Sequence, residues 1–532
     1  MDLLLESISV YPSQRVMHPA LRNLEVIYTI SSYTERRSLP ALAATCRAFE
    51  HPALNALWRD LQSLDPLIRC LPNDLFDRDQ GIMILKKPLD NDMWETLSSY
   101  TSRVHSFTQS GNLTGIELLG ELMLSCPLTP ASLFPNLRKL TWNGDGTHSA
   151  AEILRMASVP TLVELDVWMT STSSAFVSVL SSIGTLCPRL QNMELRLLPV
   201  ECTRKVSPFI IQTLSQLQHL HTLAVWDLGN QGIQQIMQLP ALQSLNLDLK
   251  TSSAWETRSH LQFPGFHPLN LFGMSIDSFE RASNFWGSLQ VVKSREIAVG
   301  FTSQAAQSPA MLSQFFTIMQ ERCDNDTLLR FLLHGFSSKV HTEWGVFTSL
   351  HAYRNLTGLR IDTGCKISIS DDELCQLVRG WPKLRTLEIS RCVSIDTTTV
   401  PTFHGITRLL QLCPALSSLG LVIDTTKLEG IDLNSPYSWS YNRLQCLTLG
   451  NSLIESPPKV ALILSCLFPL IRRVELRCWY EAPMNSLLQR KSEMESWASV
   501  NSILRGVLER RFKAYRDLNP SSTFSLARYL AQ

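Results

Sequence analysis

Few residues in this chain have the type and spacing that support chemistry. His219 and His221, one residue apart, come nearest to a metal-binding spacing. They stand at the start of a segment with strand periodicity, where surface or half-buried imidazoles are expected rather than ligands. Cys365 and Cys375 are ten residues apart with no histidine at ligand spacing, and read as core thiols. The sequence holds no G-x-S-x-G elbow, no G-x-x-x-x-G-K-S/T phosphate loop, no G-x-G-x-x-G and no H-E-x-x-H. The basic pairs Arg36-Arg37 and Arg510-Arg511 read as solvated helix ends. A chain without enzymatic activity, cofactor or metal is expected. What remains is recognition, for which Trp168 and Trp226 are the first candidates.

The bulk properties narrow the class. The 532 residues are 44% apolar and 18% charged, enough for a large core and too apolar for a disordered chain. Forty-eight basic against 47 acidic residues give a net charge of +1, so no overall field draws nucleic acid or an anionic membrane. Thirteen cysteines occur with no C-x-x-C pair, as reduced thiols of a cytoplasmic or nuclear protein would be distributed. The sequons at Asn112, Asn325 and Asn355 are read as chance. Acids at Asp2 and Glu6 with no basic stretch argue against a signal peptide. The longest apolar run, Val460 to Ile471, is short for a bilayer and contains Pro469.

The elements that carry any recognition surface follow from a recurring phrase, proline, any residue, then L-x-x-L-x-L. It reads PNLRKLTW from Pro135, PTLVELDV from Pro160, PRLQNMEL from Pro188 and PALQSLNL from Pro240. It returns as PKLRTLEI from Pro382, PALSSLGL from Pro414 and PLIRRVEL from Pro469, with proline-less copies at Leu220, Leu356 and Leu444. Steps of 22 to 32 residues between copies are those of leucine-rich repeats. Each phrase ends in a period-2 strand with leucines inward, and helical spacing follows, as in SSAFVSVLSSIGTLCP from Ser173, with Phe176, Val179, Leu180 and Ile183 in one row, and in DDELCQLVRGWP from Asp371, which Gly380 and Pro382 close. The fold class is therefore α/β, a leucine-rich-repeat horseshoe with one parallel sheet.

Between 250 and 355 the phrase degenerates. HPLNLFGMSI, KSREIAVG and TLLRFLLHG read as strands, with a helix PAMLSQFFTIMQER between the last two. Either the repeats run through unbroken or a loop is inserted around Thr251 to Phe266. The charged segment 481–532 reads as terminal helices closing the array.

Ahead of the repeats, residues 18–64 hold three short helical patterns. Pro19 opens the first, with Leu21, Leu24, Ile27 and Ile30 at every third position. Ser38 and Pro40 open the second, with Leu39, Leu42, Ala43 and Cys46 in its apolar row. Pro52 opens the third, with Leu54, Leu57, Trp58 and Leu61. Forty-odd residues make a core barely able to stand alone, so docking is expected. The segment resembles an F-box in the variant common in mushroom-forming fungi. The resemblance rests on Pro19, on Thr45-Cys46-Arg47 with Phe49, and on Pro52-Ala53-Leu54 with Leu57-Trp58. His18, where many F-boxes have leucine, and Tyr33-Thr34, where Tyr-Leu is common, depart from the pattern and bear on adaptor affinity. The resemblance implies the substrate receptor of a cullin–RING ubiquitin ligase. It would bind a Skp-type adaptor through Pro19, Leu24, Ile27, Ile30, Leu39, Leu42 and Trp58, and a target protein through the repeats.

The expected organisation is a flexible 1–17, an F-box at 18–64, a helical linker or cap at 65–130, the solenoid at 131–480 and a C-terminal cap at 481–532. Expected partners are the adaptor with its cullin complex and a target protein, with neither nucleic acid nor membrane. The alternative is a repeat scaffold that binds a protein without any ligase. Outward strand positions should form the target-binding wall, with Trp168 and Trp226 as anchors among Asp166, Arg196, Arg360, Arg473 and Arg477. If neighbouring groups cover the tryptophans, that role lapses. Trp142 takes an inward position and belongs to the core.

Overall fold

The computed structural model describes residues 23–79, 82–110, 133–197, 200–250, 262–301, 308–335, 341–362, 366–389, 399–430, 443–476 and 487–518. The chain divides into two compact units, Met1–His219 and Leu220–Gln532.

Both units use one local device, and it explains the repeat phrase. In Phe134-Pro135-Asn136-Leu137 the Leu137 amide donates to the Phe134 carbonyl at 3.1 Å, closing a turn with proline second. The same bond closes Val159–Leu162 at 3.0 Å, and Cys187–Leu190, Trp381–Leu384 and Cys413–Leu416 at 3.1 Å each. Proline's fixed φ suits that turn position. The carbonyl just after the turn then accepts two amides from the next repeat. Arg138 takes Val163 and Glu164 at 2.8 and 2.9 Å, and Thr357 takes Arg385 and Thr386 at 2.7 and 3.0 Å. The strand that follows buries its leucines. Leu137, Leu140, Leu162, Leu165, Leu190 and Leu195 are all buried, as are Leu242, Leu245, Leu384, Leu387, Leu416, Leu419, Leu444 and Leu447.

The first unit opens with α1 (Leu24–Tyr33), α2 (Leu39–Ala43) and α3 (Arg47–Trp58). Asn23 caps α1 by accepting from the Glu25 amide at 2.9 Å. Ile27, Leu39, Phe49, Ala53 and Trp58 are buried. Pro52 lies inside α3 rather than opening it, because Cys46, in extended conformation, already starts the helix. A proline there forgoes one intrahelical bond.

The chain passes from α3 directly into β1 (Asp60–Leu61), and after it come a hairpin of β2 (Phe76–Asp79) and β3 (Ile82–Leu85), then β4 (Ser106–Ser110). β5 (Lys139–Gly146), β6 (Glu164–Thr172) and β7 (Asn192–Leu197) complete the parallel run β1–β4–β5–β6–β7 of this unit. Two expectations are corrected here. The sheet begins at Asp60, inside the segment read as the helical module, and the supposed helical linker supplies β4 as well as the helix Asn91–Thr101.

The second unit carries β8 (Thr222–Trp226), β9 (Ser244–Asp248), β10 (Leu269–Ile276), β11 (Ser294–Phe301) and β12 (Arg330–His334). β13 (His341–Glu343) and β15 (Lys366–Ser368) form a separate two-stranded parallel sheet. The main run continues with β14 (Gly358–Asp362), β16 (Thr386–Ile389), β17 (Ser418–Leu421) and β18 (Cys446–Thr448), all parallel. The array is therefore unbroken through the degenerate middle, with the helix Pro309–Arg322 where the sequence predicts it. Residues 251–261 of the supposed inserted loop lie outside the described residues. In register, Leu245, Phe272, Ile297, Phe331 and Leu359 fill one inward slot. Phenylalanine replaces leucine there, and Phe272, Phe285, Trp286, Phe315, Phe316 and Phe331 form a chain of rings with centroids 5.6–6.3 Å apart.

The final phrase, at residues 471–476, is not a strand of the sheet. The Glu475 amide still donates to Leu447 O at 2.8 Å, but the next neighbour is a side chain. Asn501, on the helix Leu487–Leu518, accepts from the Val474 amide at 2.7 Å and donates to its carbonyl at 3.1 Å. Trp497 of that helix is buried and donates to Ser452 O at 2.9 Å. This helix occupies the segment expected to close the array.

Truncating Leu165, Leu387 or Leu419 to alanine should cost about 2–5 kcal/mol, read as a lower urea midpoint. An unchanged midpoint would show that the side chain does not fill the core. Asn501→Ala should leave both Val474 backbone groups unpaired at a cost of about 1–3 kcal/mol, seen as faster amide exchange at Val474. Unaltered exchange there would refute the capping role.

Candidate functional site

The residues first singled out for chemistry do not assemble. His219 is exposed and His221 half-exposed, the latter using its carbonyl to bind the Gln243 and Ser244 amides at 2.8 and 2.9 Å. Cys375 is buried on the helix Asp371–Val378, where burial pushes its thiol up, and Cys365 lies outside the described residues. Among the described residues no group of three or more His, Cys, Asp or Glu is placed to hold a metal ion. None of their helices is long and apolar enough to cross a membrane. Two surfaces remain.

The first surface is α1. Leu24 is 63% exposed and Tyr33 88%, and Tyr28 and Ile30 are also exposed. Ile27, only 1% exposed, faces inward with Ser31, whose hydroxyl donates to Ile27 O at 2.9 Å. The residues read as adaptor-binding therefore split. Leu24 and Ile30 are outside, Leu42 is half-buried, and Ile27, Leu39 and Trp58 are core. Pro19 lies outside the described residues. The split has a geometric cause, because every third residue advances about 300° round a helix and such a row winds across both faces. Tyr28 and Tyr33 were missed. Tyr28, four residues after Leu24, was visible by helical spacing.

The second surface is the outward side of the strands, treated unit by unit. In the first unit, register aligns Thr141, Asp166 and Glu194 in one row, and Asn143, Trp168 and Arg196 in the next. Trp168 is 37% exposed, and the Arg196 guanidinium lies 5.5 Å from its ring centroid. Arg196 also pairs with Glu194, and Lys139 pairs with Glu164 at 3.0 Å. Asp166 is half-buried. Burial, then the Glu194 charge, holds its carboxyl above the ordinary carboxylate range, with Arg196 and Lys139 opposing.

In the second unit the expected anchor is corrected. Trp226 is 2% exposed, so neighbouring groups cover it although its strand position points outward. Arg360 forms a forked pair with Glu388, Nη2 to Oε1 and Nε to Oε2 both 2.8 Å. Glu388 in turn lies over Gly420, where a Cβ would come within 2.9 Å of its Cγ. Arg473 is exposed and pairs with Glu475 at 3.2 Å on the irregular end segment rather than on a strand. Arg477 lies outside the described residues.

No family model and no curated protein matches the chain. Among solved structures it is similar to one described as "Crystal structure of TLR13-ssRNA13 complex", with 12% identity and a TM-score of 0.35. The match covers 76% of this chain and 60% of that chain.

Proposed function

We propose that the chain is the substrate-recognition subunit of a cullin–RING ubiquitin ligase. Its N-terminal helices bind a Skp-type adaptor and its repeats bind the protein to be ubiquitinated. The observation that carries this reading is the apolar surface of α1. Leu24, Tyr28, Ile30 and Tyr33 stand in solvent around a module whose own core, with Ile27 and Leu39, is already filled. Exposed aromatic and aliphatic groups gathered on one short helix are what a docking helix presents. The F-box resemblance of residues 18–64 says what docks. The repeats supply the rest, since a stacked array offers a long outward face to an extended protein.

A second reading has its own support. α3 runs without a linker into β1, Trp58 meets Tyr100 in a tilted ring contact with centroids 4.6 Å apart, and Arg103 reaches from the first repeat to Asn55 and His51. The same helices would serve a scaffold that merely needs its first strand closed.

The two readings separate on one measurement. The full chain, mixed with a recombinant Skp-type adaptor, should form a stable complex. Charging the exposed positions, Leu24→Asp with Tyr28→Asp, should weaken it about thirtyfold or more while the thermal midpoint holds. Ile27→Asp should instead lower the midpoint, because it puts a charge in the core. A wild-type chain that does not bind the adaptor would leave the helices with the end-closing role alone.

A further inference from the structure

We propose that the outward face of β5–β7 takes an extended protein segment presenting an arginine, whose guanidinium seats on Asp166 beside the ring of Trp168. This rests on the reading of the repeats as the target-binding part, and it names the chemistry that part selects.

Charge complementarity is the first ground. Four carboxylates and two cations share this face, and one of the four, Asp145 at the far end of β5, accepts a hydrogen bond from the Thr170 hydroxyl. Lys139 is taken by Glu164 and Arg196 by Glu194, while Asp166 has no ion pair among the described residues. The face thus carries net negative charge, and Asp166 sits at its centre without a cation of its own, between Thr141 on one neighbouring strand and Glu194 on the other. Strands about 4.8 Å apart put Glu194 close enough to oppose a second bare carboxylate and to welcome a shared cation. An acidic or phosphorylated segment would meet like charge at Glu164, Asp166 and Glu194.

The ring is the second ground. Trp168 lies two residues beyond Asp166 on the same strand, so both side chains leave the same face about 7 Å apart along it. A residue presented to Asp166 is therefore within reach of the indole. That ring already holds one guanidinium, that of Arg196, in cation–π geometry. Arginine fits better than lysine, because its planar fork can pair with a carboxylate and lie flat against a ring at once. Asn143 and Thr141 offer polar contacts to the segment's backbone on the β5 side. Since both burial and Glu194 disfavour ionised Asp166, an incoming cation relieves a standing cost, and binding should be tied to proton release.

The test is selection of a displayed random-peptide library on the immobilised full-length chain, followed by synthesis of the enriched peptides. Enriched peptides should carry arginine, and replacing it by citrulline should weaken binding about tenfold, lysine less. Asp166→Asn and Trp168→Ala in the chain should each weaken binding to a similar degree, whereas Arg360→Ala in the second unit should not. Wild-type affinity should fall as pH drops through the raised Asp166 value, and Asp166→Asn should lack that dependence. Asp166→Asn should also keep or raise the thermal midpoint at neutral pH. The unfolded carboxyl ionises at its ordinary value, so the folded state alone bears the cost of the charge above its raised value. No enrichment, enriched peptides without arginine, or binding indifferent to Asp166→Asn would overturn the proposal. Adaptor binding through α1 is measured on the same preparations. Its survival would confine the failure to this face, and its absence in the wild type would remove the ligase reading instead.

Discussion

A parallel strand cannot satisfy its own backbone, and every feature of this chain answers to that. Each strand's amides and carbonyls need a neighbour, and among the described strands of the main parallel runs in each unit that neighbour is an adjoining repeat. The junction is sharpest at the carbonyl after each turn, which accepts two amides from the following repeat and so fixes its register before the strand begins. The inward leucines then have no freedom to slip, since a shift of one residue would turn the whole row outward. The constraint also makes the ends the weak points. In the second unit it is met by Asn501, whose side-chain amide offers one acceptor and one donor to Val474 just as a strand would. In the first unit, β1 is only two residues long and presents little open edge.

The fold was legible wherever the phrase kept both proline and leucine, because the two residues encode different parts of one device, the turn and the inward row. It was dim where another residue performs the same task. Phe272 and Phe331 occupy the leucine slot and join a cluster of rings. It was invisible at β1 and β4, where Leu61 and Phe107 carry the buried positions without the rest of the phrase. The site was less legible than the fold for a simple reason. Period and register tell which way a side chain leaves the backbone, and nothing about what lies over it. Trp168 and Trp226 each lie one residue after the last apolar position of the repeat phrase, yet one stands in solvent and the other is covered. The α1 row failed for a different reason, since a three-residue spacing drifts round a helix and mixed its outer residues with its inner ones.

Charges on the outward faces are largely paired to each other across strands, as Arg330 with Glu296 and Arg360 with Glu388. Such exposed pairs contribute little to stability. Their effect is to neutralise most of the wall, which leaves the few uncompensated groups to set its preferences. That is why one carboxylate and one ring in the first unit can matter more than the longer list of charged residues around them.

The junction at Arg59 has a mechanical consequence. Its carbonyl binds the His105 and Ser106 amides at 2.9 Å each, one residue after α3 ends. The last turn of the helix and the first rung of the sheet thus share a single peptide, with no hinge between them. α1 packs on α3, so its exposed side chains sit at the end of a stiff lever whose angle is set at that peptide. Lengthening the junction by even one residue would swing the lever about 100°, the turn per residue of a helix, without disturbing any contact on α1 itself. The direction in which the exposed side chains of α1 point is therefore written in residues that lie off α1.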